Sequence, residues 1–473
     1  MISKGRTFLI QLLGYLLGRV PEFIPRLLVS FLGRMIFELA PRKRRILLSN
    51  LTRSFPELPP HKIRALGRES TRQMVEFAFF AAILPFIKER DLPDYINISA
   101  NALQQFLDFY AHPGPKLILT PHLGPQEALA TLPALAGHGV LPTSVIYRPF
   151  TDPSLEKWIR QSRQRFGIQM ISRKKGLMEG VRQLRENHTL ALLFDQNAGS
   201  RNGGLLTFFD RVCSGTPLVK ILGDRFTPRT LFLFPRREGF WRYQFQPSPA
   251  PRVQNGRELV FAANHWLEKI LREDPDTRPS WLWMHDRWKA TRQPPHLFRL
   301  EGKYHWLPEQ NQYLGRPSLP RQSLFMFFLP EEASELAALR PYLRALREQR
   351  PDSTLVGVRQ AESPDDPELQ PLFKEILPLP RSFPELRQTA LYIRQKYPEV
   401  AVCLTTNPTA HRLLKRSAAP LRIGFRQQGS SLISLHPHWP MPDPASPPEA
   451  LWKSFFSAYG LVLPEKSSLQ SSP

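Results

Sequence analysis

Between Leu117 and Phe234 short apolar runs alternate with stretches of helical periodicity, and this alternation constrains the fold more than any other feature of the chain. Leu117–Thr120, Ser144–Tyr147, Ile168–Ile171, Thr189–Phe194 and Thr230–Phe234 read as strands. Between them, Gln126–Ala136, Ser154–Phe166, Lys175–Glu186 and Pro217–Arg225 read as helices. Strands separated by crossover helices form a mostly parallel sheet covered on both faces, so the fold class is α/β. The 473 residues exceed what one core holds, about 250 to 300, and predict two or three domains. Ligands of such sheets bind beyond the carboxyl ends of the strands, and His122 stands there, just past Thr120.

The stretch Thr120-Pro-His-Leu-Gly-Pro-Gln-Glu127 places a histidine and a carboxylate five positions apart around a Gly-Pro turn. Across such a turn Glu127 can accept the imidazole N–H of His122, fix its tautomer and leave the other nitrogen to take a proton from a hydroxyl. Acyl transfer requires such a base, because an alcohol with a pKa near ~16 attacks a thioester poorly without one. The bland reading is a polar loop entering a helix, with a surface histidine and glutamate.

The N-terminus carries two broken apolar segments, Phe8–Leu17 and Leu27–Leu39, each shorter than the ~20 residues a spanning helix needs. They suggest a hairpin lying in or dipping into one leaflet; a core helical hairpin of a soluble domain and a spanning helix with a flexible start are the alternatives. The following cluster Arg42-Lys-Arg-Arg45 suits anionic headgroups and predicts that this side faces the cytoplasm. Residues 1–300 hold 44 basic and 24 acidic groups, whereas 301–473 hold 20 and 17. An anionic partner therefore belongs to the first part; nucleic acid, anionic lipid and an acidic carrier protein all exploit such a field. No nucleic-acid-binding pattern accompanies the charge, so nucleic acid is not expected. Cys213 and Cys403, the only cysteines, exclude a disulfide framework and a Cys-rich metal site.

Beyond a Pro-, Gln- and Tyr-containing stretch at 293–322, a second α/β pattern begins. Leu324–Leu329, Ser353–Val358, Ile376–Leu379 and Val400–Leu404 read as strands, and 335–349, 383–397 and 409–417 as helices. Residues 437–473 are Pro/Ser-rich, with one short helix. The chain has no internal repeat, P-loop or GxGxxG.

The order Pro121-His-Leu-Gly-Pro-Gln-Glu127, Val145-Ile-Tyr-Arg-Pro149, Arg165-Phe-Gly167, Leu192-Leu-Phe-Asp-Gln196, Phe208-Phe209 and Trp281-Leu-Trp-Met-His-Asp-Arg-Trp-Lys289 resembles the bacterial lipid A late acyltransferase family. These are the lauroyl/myristoyl acyltransferases of the lysophospholipid acyltransferase superfamily. Arg44-Arg45 and Asn50-Leu-Thr-Arg-Ser-Phe-Pro-Glu57 fit that family's N-terminal pattern, and the resemblance covers roughly residues 1 to 292. It implies an O-acyltransferase of the inner membrane's cytoplasmic face that moves a fatty acyl chain from acyl-acyl carrier protein to a hydroxyl of a lipid A precursor. It implies His122 as general base with Glu127 as its partner, Arg148 on an anionic group of donor or acceptor, and Asp195 with Gln196 lining the site. Arg287 and Lys289 are candidates for headgroup phosphate, and Phe208, Phe209, Trp281 and Trp283 for the border of the acyl chain or for ordinary core. No cofactor, metal or covalent intermediate is implied; the partners are acyl carrier protein, an anionic glycolipid and the membrane surface.

One departure concerns specificity: the family form HxGNWE has become a motif with Pro125-Gln126 between Gly124 and Glu127. It motivates the alternatives of a different acceptor, another glycolipid or an aminolipid, or of a membrane scaffold with a decayed site. Residues 323–428 are similar to the N-terminal half of lipopolysaccharide heptosyltransferases, through Leu339–Arg347 and Pro420-Leu-Arg-Ile-Gly-Phe425, although Ser334-Glu335 replaces that family's Gly-Asp. The expected organisation is a membrane-associating helical segment (1–50), an acyltransferase domain (51–292), a linker (293–322), a degenerate, Rossmann-like glycosyltransferase unit used for packing or partner binding (323–436), and a tail (437–473).

Overall fold

The computed structural model describes residues 2–137, 140, 142–199, 203–294, 296–300, 306–361, 366–424 and 447–463. Phe425 of the Arg-Ile-Gly-Phe turn, the Pro/Ser-rich run up to residue 446, part of the 293–322 linker and the last ten residues lie outside them. The chain divides into two compact units, Met1–Asn197 with Gly215–Arg287, and Ala198–Ser214 with Trp288–Pro473.

In the first unit the N-terminal apolar segments form helices Ile2–Leu17 and Phe23–Leu39, followed by Pro41–Ser54 and Pro60–Ile83. The last two begin on a proline, whose missing N–H and fixed φ suit a first helical turn. Helix Phe23–Leu39 buries Pro25, Val29, Gly33 and Phe37, one stripe at four-residue spacing. A Cβ at Gly33 would stand 2.7 Å from the Arg72 Cα, so that stripe rests directly on the backbone of Pro60–Ile83. The opposite face leaves Phe23, Leu27, Phe31 and Leu39 exposed. Among the described residues no helix is long and apolar enough to cross a membrane.

The sheet of this unit uses β1 (Ile96–Asn97), β2 (Lys116–Thr120), β3 (Thr143–Tyr147), β4 (Gln169–Ser172) and β5 (Thr189–Leu193). After the β6 (Gly204–Phe208) and β7 (Arg211–Gly215) hairpin come β8 (Arg229–Gly239) and β9 (Arg242–Pro249). The seven-stranded order is β1-β9-β8-β2-β5-β3-β4, parallel except where β8 meets β9. β9 has no strand run to announce it in the sequence, and Pro247 and Pro249 argue against a strand; Tyr243 and Phe245 nonetheless supply its buried face. The expected helix at 126–136 is instead a 3₁₀ segment, Gln126–Thr131, running into the short helix Leu132–Ala136.

A buried carboxylate locks the four-helix N-terminal region to the sheet. Glu76 accepts from Arg72 at 3.0 Å, from Arg237 at 2.9 Å, from the Trp241 backbone N–H and from the Tyr243 hydroxyl. Burial, and then the Glu76 charge, push the Tyr243 phenol well above its ordinary pKa, so the hydroxyl stays a donor.

The second unit holds a five-stranded, all-parallel sheet of β10 (Ser323–Phe328), β11 (Ser353–Arg359), β12 (Glu375–Pro378), β13 (Val400–Cys403) and β14 (Leu421–Gly424). Its order, β12-β11-β10-β13-β14, is that of a doubly wound Rossmann arrangement, reversing between β10 and β13. It also contains the β6–β7 hairpin, which the sequence reading leaves with the first domain. Arg211 of the hairpin donates at 2.7 Å to Glu399, both buried, and a Cβ on Gly204 would overlap the Trp306 ring. Helix Pro448–Ala458 buries Trp452, Phe455 and Phe456 in this core.

Removing the Glu76 carboxylate strands the Arg237 guanidinium, while Arg72 keeps its pair with Glu69 at 2.6 and 2.7 Å. Glu76→Ala is expected to lower stability by about 3 kcal/mol, measured as a shift of the urea unfolding midpoint, while an unchanged midpoint would mean that apolar packing alone holds these helices.

Candidate active site

The site begins with two neighbouring strand ends. β2 and β5 pair in parallel up to Thr120 and Leu193, and the Phe194 N–H reaches the Thr120 carbonyl, so their following loops leave side by side. One loop carries His122, the other Asp195. His122 Nδ1 lies 2.7 Å from Asp195 Oδ1, and the His122 backbone N–H donates at 2.9 Å to Oδ2. The Trp281 indole N–H donates to the same Oδ2 at 2.7 Å. The loop is fixed from the other side as well, since Leu123 bridges to Trp281, Leu282 N–H donates to the His122 carbonyl and Gly124 N–H to the Ser280 carbonyl. Gly124 has φ +78°, and a Cβ there would lie 2.1 Å from the Pro235 carbonyl oxygen, so only glycine fits this turn.

Burial by itself raises the pKa of the Asp195 carboxyl, but the charge and hydrogen bond of His122, with the Trp281 and backbone N–H groups, outweigh it and hold the pKa at about 2. An ionised carboxylate only accepts, so Nδ1 carries a proton, and in the neutral imidazole Nε2 keeps its lone pair. Onto that lone pair the Gln196 amide nitrogen donates at 2.9 Å. The Gln196 backbone is itself held: its carbonyl accepts from Arg287 at 2.6 Å, and Arg287 also donates to Asn264 at 2.9 Å. The next N–H, of Asn197, donates to His285 Nε2 at 3.0 Å. Burial, and then Arg287, bring the His285 pKa down to about 4, so it is a neutral acceptor at pH 7.

Two expected roles change. Glu127 is not the carboxylate on His122; it takes a bidentate pair from Arg163, at 2.7 and 2.5 Å. The left-handed turn at Gly124 and the 3₁₀ segment after it turn Glu127 toward helix Pro153–Gln164, whose Arg163 waits there. Burial lowers the pKa of the Arg163 guanidinium, but Glu127 overcompensates and leaves it raised. Arg287 is not a headgroup contact; it is fully buried, and its charge faces the Gln196 carbonyl. Arg148 is exposed at the end of β3, and Lys289, also exposed, belongs to the second unit, as do the buried Phe208 and Phe209. Trp281 and Trp283 are core residues in edge contact at 4.6 Å.

A largely apolar cavity runs along one face of the sheet beside this site. Thr143, Val145 and Tyr147 of β3 line it from end to end, a span of roughly 13 Å at strand rise. Ile118, Met170 and Ala191 complete its wall, while Gln126 and Arg163 bring polar groups to it. Arg163 was missed by sequence reasoning, although a signal existed: it follows Ile159, the buried residue of its helix, by four positions, where a charge needs a partner.

A family model for bacterial lipid A biosynthesis acyltransferases matches residues 1–290. A crystal structure of a glycosyl transferase family 9 protein from Veillonella parvula aligns over 33% of this chain and 46% of that one, at 15% identity and a TM-score of 0.27. That alignment spans less than half of the matched chain, and a similarity of this size says nothing about activity. No curated protein matches the chain.

The Asp195 geometry has a stability consequence. Its folded-state pKa is depressed from 3.8 to about 2, so its contribution, about 2 kcal/mol, is present above pH ~4 and fades as the pH falls toward 2. In urea unfolding across that window, the gap between wild type and Asp195→Asn is expected to narrow as the pH drops. A gap independent of pH would remove the ionised carboxylate from the account.

Proposed function

Because this chain belongs to the bacterial lipid A biosynthesis acyltransferases, we propose that it transfers a fatty acyl chain from acyl-acyl carrier protein to a hydroxyl of a lipid A precursor, with His122 as general base. The observation that carries this reading is the Asp195–His122 pair at the carboxyl edge of the sheet, with Nε2 as the proton-accepting nitrogen. The acceptor hydroxyl gives its proton to Nε2 as its oxygen bonds to the thioester carbonyl carbon. Asp195 stabilises the imidazolium so formed. Collapse of the tetrahedral intermediate breaks the C–S bond, and the imidazolium returns the proton to the departing thiolate. His122 ends as it began, and no group beyond the two substrates enters the reaction.

The acyl chain, of lauroyl or myristoyl type, occupies the apolar cavity. Arg163, oriented by Glu127, is the cation at that cavity, so Glu127 acts through the guanidinium and not through the imidazole. Arg148, exposed on the loop after β3, meets an anionic group of donor or acceptor. The protein lies on the cytoplasmic face of the inner membrane, which the exposed Phe8, Leu9, Phe23, Leu27, Phe31 and Leu39 of the first two helices support. A different acceptor, another glycolipid or an aminolipid, is the second reading. Pro125-Gln126 favours it, because Gln126 borders the cavity and donates at 2.7 Å to the Pro121 carbonyl.

The deciding experiment is transfer of radiolabelled acyl groups from acyl carrier protein to a phosphorylated lipid A precursor in detergent. His122→Ala is expected to lower the rate by about 10²- to 10⁴-fold. A wild type inert with this acceptor but active on another lipid moves the second reading ahead; a His122→Ala variant at full rate removes the base. In the same assay Ala191→Phe, which fills the cavity wall, is expected to shift donor preference toward shorter chains. An unchanged chain-length profile would place the acyl chain elsewhere.

A further inference from the structure

We propose that Gln196 sets the selectivity of this site for transfer over hydrolysis, by occupying the His122 Nε2 lone pair until an acceptor hydroxyl displaces it. The inference rests on the reading of His122 as the base. A base that activates a lipid hydroxyl activates water equally well. With a donor thioester bound and no acceptor present, water would give its proton to Nε2 and add to the carbonyl carbon. The C–S bond would then break, yielding a free fatty acid and a thiol that takes up the proton. Each such event wastes a donor.

The geometry meets this hazard directly. Asp195 forces the Nδ1–H tautomer, so a group 2.9 Å from Nε2 must be a donor, and the Gln196 amide N–H is that donor. The backbone around Gln196 is clamped by Asp195 before it, by Arg287 on its own carbonyl and by His285 on the following N–H. Its side chain, by contrast, is exposed, so the amide can leave without disturbing the loop. A water offers Nε2 one hydrogen bond in exchange for the one it must break. An acceptor hydroxyl is delivered by the rest of its lipid at high effective concentration, and so outcompetes the amide. Gln196 is thus a positioning residue that acts through His122.

The test measures thiol release from acyl-acyl carrier protein with no acceptor present, and then the partition between free fatty acid and acylated lipid with acceptor added. Gln196→Ala is expected to raise acceptor-free hydrolysis roughly two- to tenfold, the size of one net hydrogen bond, with the donor KM unchanged. Gln196→Asn keeps the amide but is one methylene too short to reach Nε2, and should behave like the alanine variant. His122→Ala placed on either variant should abolish the added hydrolysis. Hydrolysis at the wild-type rate in both Gln196 variants, with transfer to lipid still measurable, overturns the inference while leaving the base intact. Wild-type transfer that survives His122→Ala overturns the underlying reading instead.

Discussion

Burying one carboxylate organises the corner of this protein around His122. Asp195 is 2% exposed, and leaving a carboxylate unpaired at that depth would cost about 3 to 5 kcal/mol, a large part of a domain's net stability. It is satisfied by the His122 ring, the His122 backbone N–H and the Trp281 indole, three donors from two further chain segments. Meeting that requirement brings the loop after β2, the loop after β5 and the 280–282 segment to one point. The N-terminal helices brace the arrangement from behind: Asn50 donates to the Trp283 and His285 carbonyls, and Ser280 donates to Gln73. Helices that look peripheral in sequence therefore support the residues next to the imidazole.

The unit uses the same device twice with different results. Glu76 is buried among permanent cations and hydroxyls and does nothing but hold helix Pro60–Ile83 to the β8–β9 corner. Asp195 is buried against a group whose far side is not sealed, the His122 side chain being 18% exposed. A buried anion next to a partly open imidazole transmits its charge to the solvent-facing nitrogen. The difference between the two carboxylates lies in the partner's second face.

The parallel sheet and its crossover helices were legible in the sequence because each strand is an apolar run bounded by turns, and the observed ends of β2, β3, β4 and β5 fall within a residue of those runs. The β6–β7 hairpin was not, because its two-residue turn is Phe209-Asp210, both at positive φ, where glycine and asparagine are the usual signal. The place of His122 at a strand end was legible, but its carboxylate partner was not. Five residues of separation favoured Glu127, whereas parallel neighbours place strand ends ~4.8 Å apart however distant they are in sequence. Asp195, 73 residues away, was therefore the nearer group. A pairing set by sheet order cannot be seen in a local motif.

Net charge shows the same limit of local reading. The positive excess of the first 300 residues is not a uniform surface, because much of it is paired with carboxylates or buried. Glu38 gathers Arg44, Arg64 and Arg68, Glu76 gathers Arg72 and Arg237, Glu127 takes Arg163, and Arg287 is buried on a carbonyl. Four of the cations that stay outside gather at one place. Arg148 follows β3 and Arg173, Lys174 and Lys175 follow β4, two strands paired in register from Ser144 to Tyr147; all four side chains are exposed, and among the described residues none makes an ion pair. The carboxylates beside them are engaged, Asp152 as a helix cap and Glu156 by the Tyr147 hydroxyl and the Phe150 N–H. The charge of these four residues thus emerges at the carboxyl edge of the sheet, the same edge on which His122 stands, so an anion held by them is held on the side of the imidazole.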